Sequence, residues 1–190
     1  IAHLRTLGKV KLLEEKMIAE KPKSKLGIAH TRWATHGEPS EENAHPHMSN
    51  ERVYIVHNGI IENYLDLKDF LKKEGYSFSS QTDSELIAHL LEYFLNKGNN
   101  MLDSMYLTKE KLDGAYAIAA IDKEDDQNII IARSKSPLLI GIGMDEFLAA
   151  SDPLAIGQLT NEFIFLEDGD VAELSSCLLY TSPSPRDAHK

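Results

Sequence analysis

From Ala115 to Leu174 the chain runs through six short apolar segments, AYAIAAID, NIIIAR, LLIGI, EFLAA, FIFL and VAEL, separated by charged or turn-forming residues. Connections this tight suit antiparallel neighbours, because a parallel pair needs a crossover of a dozen residues or more. Runs so continuously apolar belong to sheets covered on both faces, so sheets flanked by helices are expected rather than an open sandwich. Asp168 and Gly169, between FIFL and VAEL, supply the residue pair of a tight hairpin. Asp152 followed by Pro153 marks the start of one more short helix.

The first half has a different texture. Gly8–Glu20 carries Val10, Leu13 and Met17 at helical spacing and stops before Pro22. Tyr64–Glu74 places Leu67, Phe70 and Leu71 on one face and ends at Gly75, a residue suited to a left-handed helix terminus. Thr82–Glu85 reads as a capping box before Ile87, Leu90, Leu91, Phe94 and Leu95, which recur with helical period. A further helix is expected over Met101–Leu112, and strands over Gly27–Ala34 and Val53–Val56, with the polar HGEPSEENAHPH between those two. No internal repeat is present.

Size and charge narrow the function. With 190 residues, 42% of them hydrophobic, the chain fits one ordinary domain. Thirty acidic against 20 basic side chains leave a net charge of −10, which repels nucleic acid and anionic lipid. No apolar run has the length of a membrane span, and the opening IAHLRTLGKV does not read as a signal peptide, so a cytoplasmic protein is expected. The single cysteine, Cys177, leaves no internal disulfide. The opening LRTLGKVKLLEEK reads as the end of an element that something precedes. The stretch CLLYTSPSPRD from Cys177 has no periodicity and is similar to a translated sequencing adapter, so a domain over residues 1–176 and a non-native tail over 177–190 are expected.

Three polar segments interrupt the pattern: TRWATHG at 31–37, VHNGIIEN at 56–63 and QTDSE at 81–85. Each alone has an ordinary structural explanation. Arg32 can be a solvated charge, Asn58 with Gly59 a hairpin turn, Asp83 a helix cap, and Trp33 a core or stacking residue.

Together, TRWATHG, NAHPH at 43–47, HNGIIEN and TDSE resemble the N-terminal glutaminase domain of the glutamine–fructose-6-phosphate aminotransferases, class II amidotransferases of the N-terminal-nucleophile type. The resemblance continues through GAYA, RSKSPLLIG, ASDPLA and FIFLEDGDVAEL, and so covers residues from about 4 to 174. It implies an α+β fold, a four-layer α/β/β/α sandwich with two antiparallel sheets whose first sheet is incomplete here. A sheet edge exposed in this way is expected to favour pairing between copies.

The implied function is glutamine hydrolysis supplying ammonia for conversion of fructose 6-phosphate to glucosamine 6-phosphate. Glutamine is a zwitterion with a neutral amide at its far end. A selective site therefore needs a cation, an anion and donors near the amide carbonyl. The resemblance assigns the α-carboxylate to Arg32, helped by Thr35 and His36, and an arginine fork suits a carboxylate bidentately. It assigns the α-ammonium group to Asp83, whose charge a helix start would favour. The Asn58 side-chain amide and the Gly59 backbone N–H become the oxyanion hole, where each donor typically contributes about 3 kcal/mol. A glycine there allows close backbone approach. Trp33 becomes a gate on the ammonia route.

The family's nucleophile is an N-terminal cysteine, which Cys177 does not match in position. The chain as written is therefore expected to bind glutamine weakly or not at all and to leave it uncut. Its implied partners are glutamine, a C-terminal sugar-phosphate isomerase domain and, at full length, a second copy; no cofactor is implied.

Alternatives remain open at this point. The purine-pathway phosphoribosyl amidotransferase and the asparagine synthetase glutaminase share the arginine and the Asn-Gly pair, and a non-catalytic glutamine-binding module is a third possibility. His30, His36, His45, His47 and His57 invite a metal-hydrolase reading, with His45 and His47 two residues apart. No carboxylate or third histidine stands at an evident ligand spacing, so no metal is expected.

Overall fold

The computed structural model describes residues 1–32, 37–125, 127–175 and, as backbone, 179–181. The calls on Trp33, Thr35 and His36 lie outside these residues, as does Cys177.

Two antiparallel sheets form the centre. The larger contains β1 (His47–Ser49), β2 (Val53–Ile61), β3 (Gly114–Asp122), β4 (Asn128–Ser134), β8 (Val171–Ser175) and β9 (Leu179–Thr181), in that spatial order. The smaller has β5 (Leu139–Ile142) between β6 (Phe147–Ala150) and β7 (Phe163–Phe165). All six apolar runs of the second half are strands. β2 and β3 pair along their whole length, from Val53 opposite Asp122 to Ile61 opposite Gly114.

Helices α2 (Tyr64–Lys73), α3 (Glu85–Leu95) and α4 (Met101–Lys111) supply the helical layer. Their apolar faces meet one side of the large sheet in a core that includes Val53, Ile55, Leu71, Leu91, Met105 and Ile118. α3 is buried nearly all round, so its sequence is apolar beyond a single stripe. The opposite side of the large sheet packs Ala117, Ile131, Ala172 and Leu174 against Ile140, Leu138 and Leu166 of the second sheet and its flanks. Strand side chains alternate between faces, so Gly141, next to Ile140, looks outward. Ile156 and Thr160, following a 3-10 turn at Pro153–Ala155, lie directly over it. This is the expected α+β sandwich of two antiparallel sheets with helices. By contrast, α1 (Val10–Glu20) buries none of its residues.

Several local expectations change. No strand forms over residues 27–32, the described part of the predicted Gly27–Ala34 strand. A strand requires a ladder partner as well as an apolar pattern. Here His30 instead sets its ring on His45, with centroids 4.3 Å apart. Asn58 and Gly59 form no turn, because β2 continues through them. The Thr82–Glu85 capping box is also absent. Ser84 is the N-cap of α3 without a side-chain cap bond, Thr82 Oγ1 lies 3.1 Å from His47 Nε2, and the Glu85 carboxylate turns back to accept from the Ser79 and Ser80 N–H groups at 2.8 and 2.7 Å.

Asp168 and Gly169 close no hairpin either. β7 and β8 belong to different sheets, so this turn carries the chain between layers. Asp168 accepts there from Arg133 Nη2 and the Lys135 N–H, both at 2.9 Å. Finally, the backbone of Leu179–Thr181, placed by the sequence in the tail, pairs with Ala172–Leu174 of β8.

Candidate functional site

The site arises where the large sheet loses a strand. β1 pairs only with Val53–Ile55, so among the described residues no strand lies beside that edge of β2 from Val56 onward. A cavity of about 470 Å³ opens there, between β2, the segment leading into α3, and residues 29–32. Arg32, Asn58, Gly59 and Asp83 all line it, although they come from three separate stretches of the chain.

Gly59 has φ of +146°, and a Cβ on it would lie 2.0 Å from the Ala115 carbonyl oxygen. The neighbouring strand β3 thus by itself demands glycine at this position. Asn58, beside it, is exposed on the cavity. Arg32 donates through Nη2 to the Gly37 carbonyl at 3.0 Å and through Nη1 to the Glu38 carbonyl at 3.2 Å. Asn43 ties this loop to the α3 side: its Nδ2 donates to the Glu38 carbonyl at 2.8 Å, and its Oδ1 accepts from the Gln81 N–H at 2.8 Å. Asp83 is buried, 3% exposed, and its Oδ2 accepts from the Ile61 N–H at 2.8 Å. It stands two residues before the first residue of α3, where the unpaired N–H groups of a helix start favour negative charge.

The histidines around the cavity are neutral at pH 7. Burial pushes His57 down to about 4 against the opposing pull of Asp83, and pushes His47 to about 3. His45 falls well below the ordinary imidazole range for the same reason, with nearby His47 and His30 adding to the effect. Among the described residues, no group of three or more His, Cys, Asp or Glu side chains is arranged to hold a metal ion. Arg32 and Asp83 are therefore the charged side chains of the described lining, one of each sign.

Sequence reasoning placed His57 and His45 only in the metal-hydrolase reading and gave Ser151 no role, yet all three line the cavity. For His57 a signal existed: period-two alternation puts it on the helix-facing side of β2 with Val53 and Ile55. Ser151 reaches the cavity from the end of β6, a proximity that no local pattern encodes.

Comparison with known proteins gives a consistent picture. Residues 30–158 match the family model described as a glutamine amidotransferase domain. The chain is 49% identical over 175 residues to a glutamine–fructose-6-phosphate aminotransferase (isomerizing) of Vibrio parahaemolyticus, covering 92% of this chain and 28% of that protein. It is 51% identical over 172 residues to the protein of the same name from Haemophilus ducreyi, covering 90% of this chain and again 28% of the relative. Among solved structures, the glutamine phosphoribosylpyrophosphate amidotransferase of B. subtilis, complexed with ADP and GMP, superposes with a TM-score of 0.67 at 26% identity, over 80% of this chain and 33% of that one. The chain thus spans a little over a quarter of the length of the curated relatives it matches.

Proposed function

Because this chain belongs to the glutamine amidotransferase domain family, we propose that its cavity binds glutamine, and that residues 1–176 act as the glutaminase part of a longer aminotransferase making glucosamine 6-phosphate from fructose 6-phosphate. The observation that carries this reading is the meeting of Arg32, Asn58 and Asp83, distant in sequence, at one cavity.

A cation and an anion on the wall of one pocket match the two charged ends of an amino acid. Arg32 takes the α-carboxylate, with Thr35 and His36 assisting, and Asp83 takes the α-ammonium group. Attack of a thiolate on the amide carbon drives charge onto the carbonyl oxygen, and donors fixed in advance lower that barrier. Asn58 Nδ2 and the Gly59 N–H are those donors. Ammonia leaves, and water cleaves the resulting thioester to glutamate. The resemblance assigns the attacking thiol to an N-terminal cysteine, the gate to Trp33, and the acceptor chemistry to a sugar-phosphate isomerase domain of a protein that dimerises. Residues 177–190 are proposed to be a tail of non-native origin, of which Leu179–Thr181 pairs with β8.

A phosphoribosyl amidotransferase is the second reading, favoured by the fold comparison. The higher identity, about 50% against 26%, supports the sugar-phosphate enzyme as the first reading. Glutamine titration of the chain, followed by nuclear magnetic resonance up to tens of millimolar, tests the site. Saturable shifts that Arg32→Ala and Asp83→Ala each weaken at least tenfold are expected; the absence of saturable shifts overturns the reading. In the longer polypeptide, glutamate release stimulated by fructose 6-phosphate is expected, and stimulation by phosphoribosyl pyrophosphate instead would favour the second reading.

A further inference from the structure

His57 is 2% exposed and sits on β2 directly before Asn58. Its Nδ1 lies 2.9 Å from Ser84 Oγ, the N-cap residue of α3. Its Nε2 is buried with no hydrogen-bond partner among the described residues, although the residue lines the cavity. A buried polar nitrogen left unsatisfied costs on the order of 1–3 kcal/mol, so an orphan of this kind beside a cavity points to a ligand. Asp83, adjacent in sequence to Ser84, borders the same cavity and acts electrostatically on His57.

We propose that His57 is a specificity residue of this site, its Nε2 accepting one N–H of the ligand's α-ammonium group while the Asp83 carboxylate accepts another. The proposal rests on the reading of the cavity as a glutamine site. An ammonium group has three N–H donors, and a single carboxylate does not satisfy them all where the group lies against buried side chains such as Asp83 and His57. The Asp83 carboxylate offers about four lone-pair sites, one of which the Ile61 N–H takes. A neutral imidazole adds an acceptor without adding charge. For Nε2 to accept, Nδ1 must carry the proton and donate it to Ser84 Oγ, which makes Ser84 a positioning residue that selects the tautomer. Burial supplies the remaining requirement by keeping the ring neutral at pH 7. The pair His57–Asp83 then distinguishes an α-amino acid amide from an otherwise identical amide lacking the amine.

The test compares two probes, glutamine and glutaramate, the latter being glutamine without its α-amino group. Dissociation constants are measured by the same titration for the wild-type chain, His57→Leu, His57→Gln and Ser84→Ala. A hydrogen bond to a charged group predicts that His57→Leu weakens glutamine about tenfold or more and changes glutaramate less than about twofold. His57→Gln, whose side-chain oxygen still accepts, recovers part of the loss, and Ser84→Ala reproduces it in smaller measure. Equal weakening of both probes would show a purely structural role and overturn the proposal. So would unchanged glutamine binding in His57→Leu while Arg32→Ala still abolishes it, an outcome that leaves the glutamine reading standing. A wild-type chain that binds neither probe refutes the glutamine reading itself and takes this proposal with it.

Discussion

Alanine at Gly59 would meet two separate obstacles. Its φ of +146° lies where an L side chain is strained, at a cost of about 1–3 kcal/mol. In addition, the new Cβ would lie 2.0 Å from the Ala115 carbonyl oxygen and 2.8 Å from Tyr116 Cα, both backbone atoms of the paired strand. That oxygen has to retreat by about 1 Å or more to restore contact distance, and overpacking of this kind costs about 1–3 kcal/mol further. The total is about 4 kcal/mol, a large share of the 5–15 kcal/mol of an ordinary domain. Gly75 provides the control. Its φ is +93°, but a Cβ there meets nothing within 4 Å, so only conformational strain of about 1–2 kcal/mol applies. Equilibrium unfolding in urea measures both variants, with an unchanged m-value showing that the same surface unfolds. Gly114→Ala should behave like Gly59→Ala, because its Cβ would lie 2.2 Å from the Ile60 carbonyl oxygen in the reverse direction across the same ladder. If Gly59→Ala costs no more than Gly75→Ala, the close β2–β3 approach beside the cavity is refuted.

Three further perturbations follow from the same geometry. Asp83→Asn keeps an oxygen for the Ile61 N–H but removes the charge, so it should weaken glutamine by about 10- to 100-fold in the titration while the urea midpoint moves little; equal affinities would remove Asp83 from the ammonium site. His45, His47 and His57 all have folded values below the unfolded 6.5, so the stability they contribute is complete above pH 6.5 and is lost as pH falls below it. Each adds about 1.4 kcal/mol per pH unit to that loss between roughly pH 6 and 4; His47→Gln should reduce the slope by about one proton, and an identical slope would show that His47 is not buried as a neutral ring. Ser49→Ala removes the hydroxyl that lies 2.7 Å from His89 Nδ1 and donates to the Glu92 carboxylate, all buried. It should cost about 1–3 kcal/mol, or about 2–4 °C of Tm per kcal/mol, and an unaltered melting curve in differential scanning calorimetry would contradict that network.

Much of the fold was legible because it follows local rules. The helix of residues 85–95 announced itself through period-3.6 apolar positions, and the six strands of the second half through short apolar runs between turn residues. What failed were readings in which a local motif has two uses. Asn58-Gly59 and Asp168-Gly169 both carry turn chemistry, yet one lies inside a nine-residue strand and the other links two sheets. Glu85 stands where a capping box places its acid, but it satisfies the Ser79 and Ser80 N–H groups instead. Gly27–Ala34 has strand composition, and its described part has no ladder partner.

The residue types of a zwitterion site, a guanidinium, a carboxylate and an amide beside a glycine, were present in the primary structure, as were the spacings that mark the family. Their convergence was not, because nothing local relates positions 32, 58 and 83. That was decided by an early-ending β1, which leaves the far half of β2 open, and by α3 docking with its N-terminus against that opening. Tertiary packing likewise created the orphaned His57 nitrogen: burial and partnership are properties of the assembled layers, whereas the sequence specifies only which groups are available to be buried.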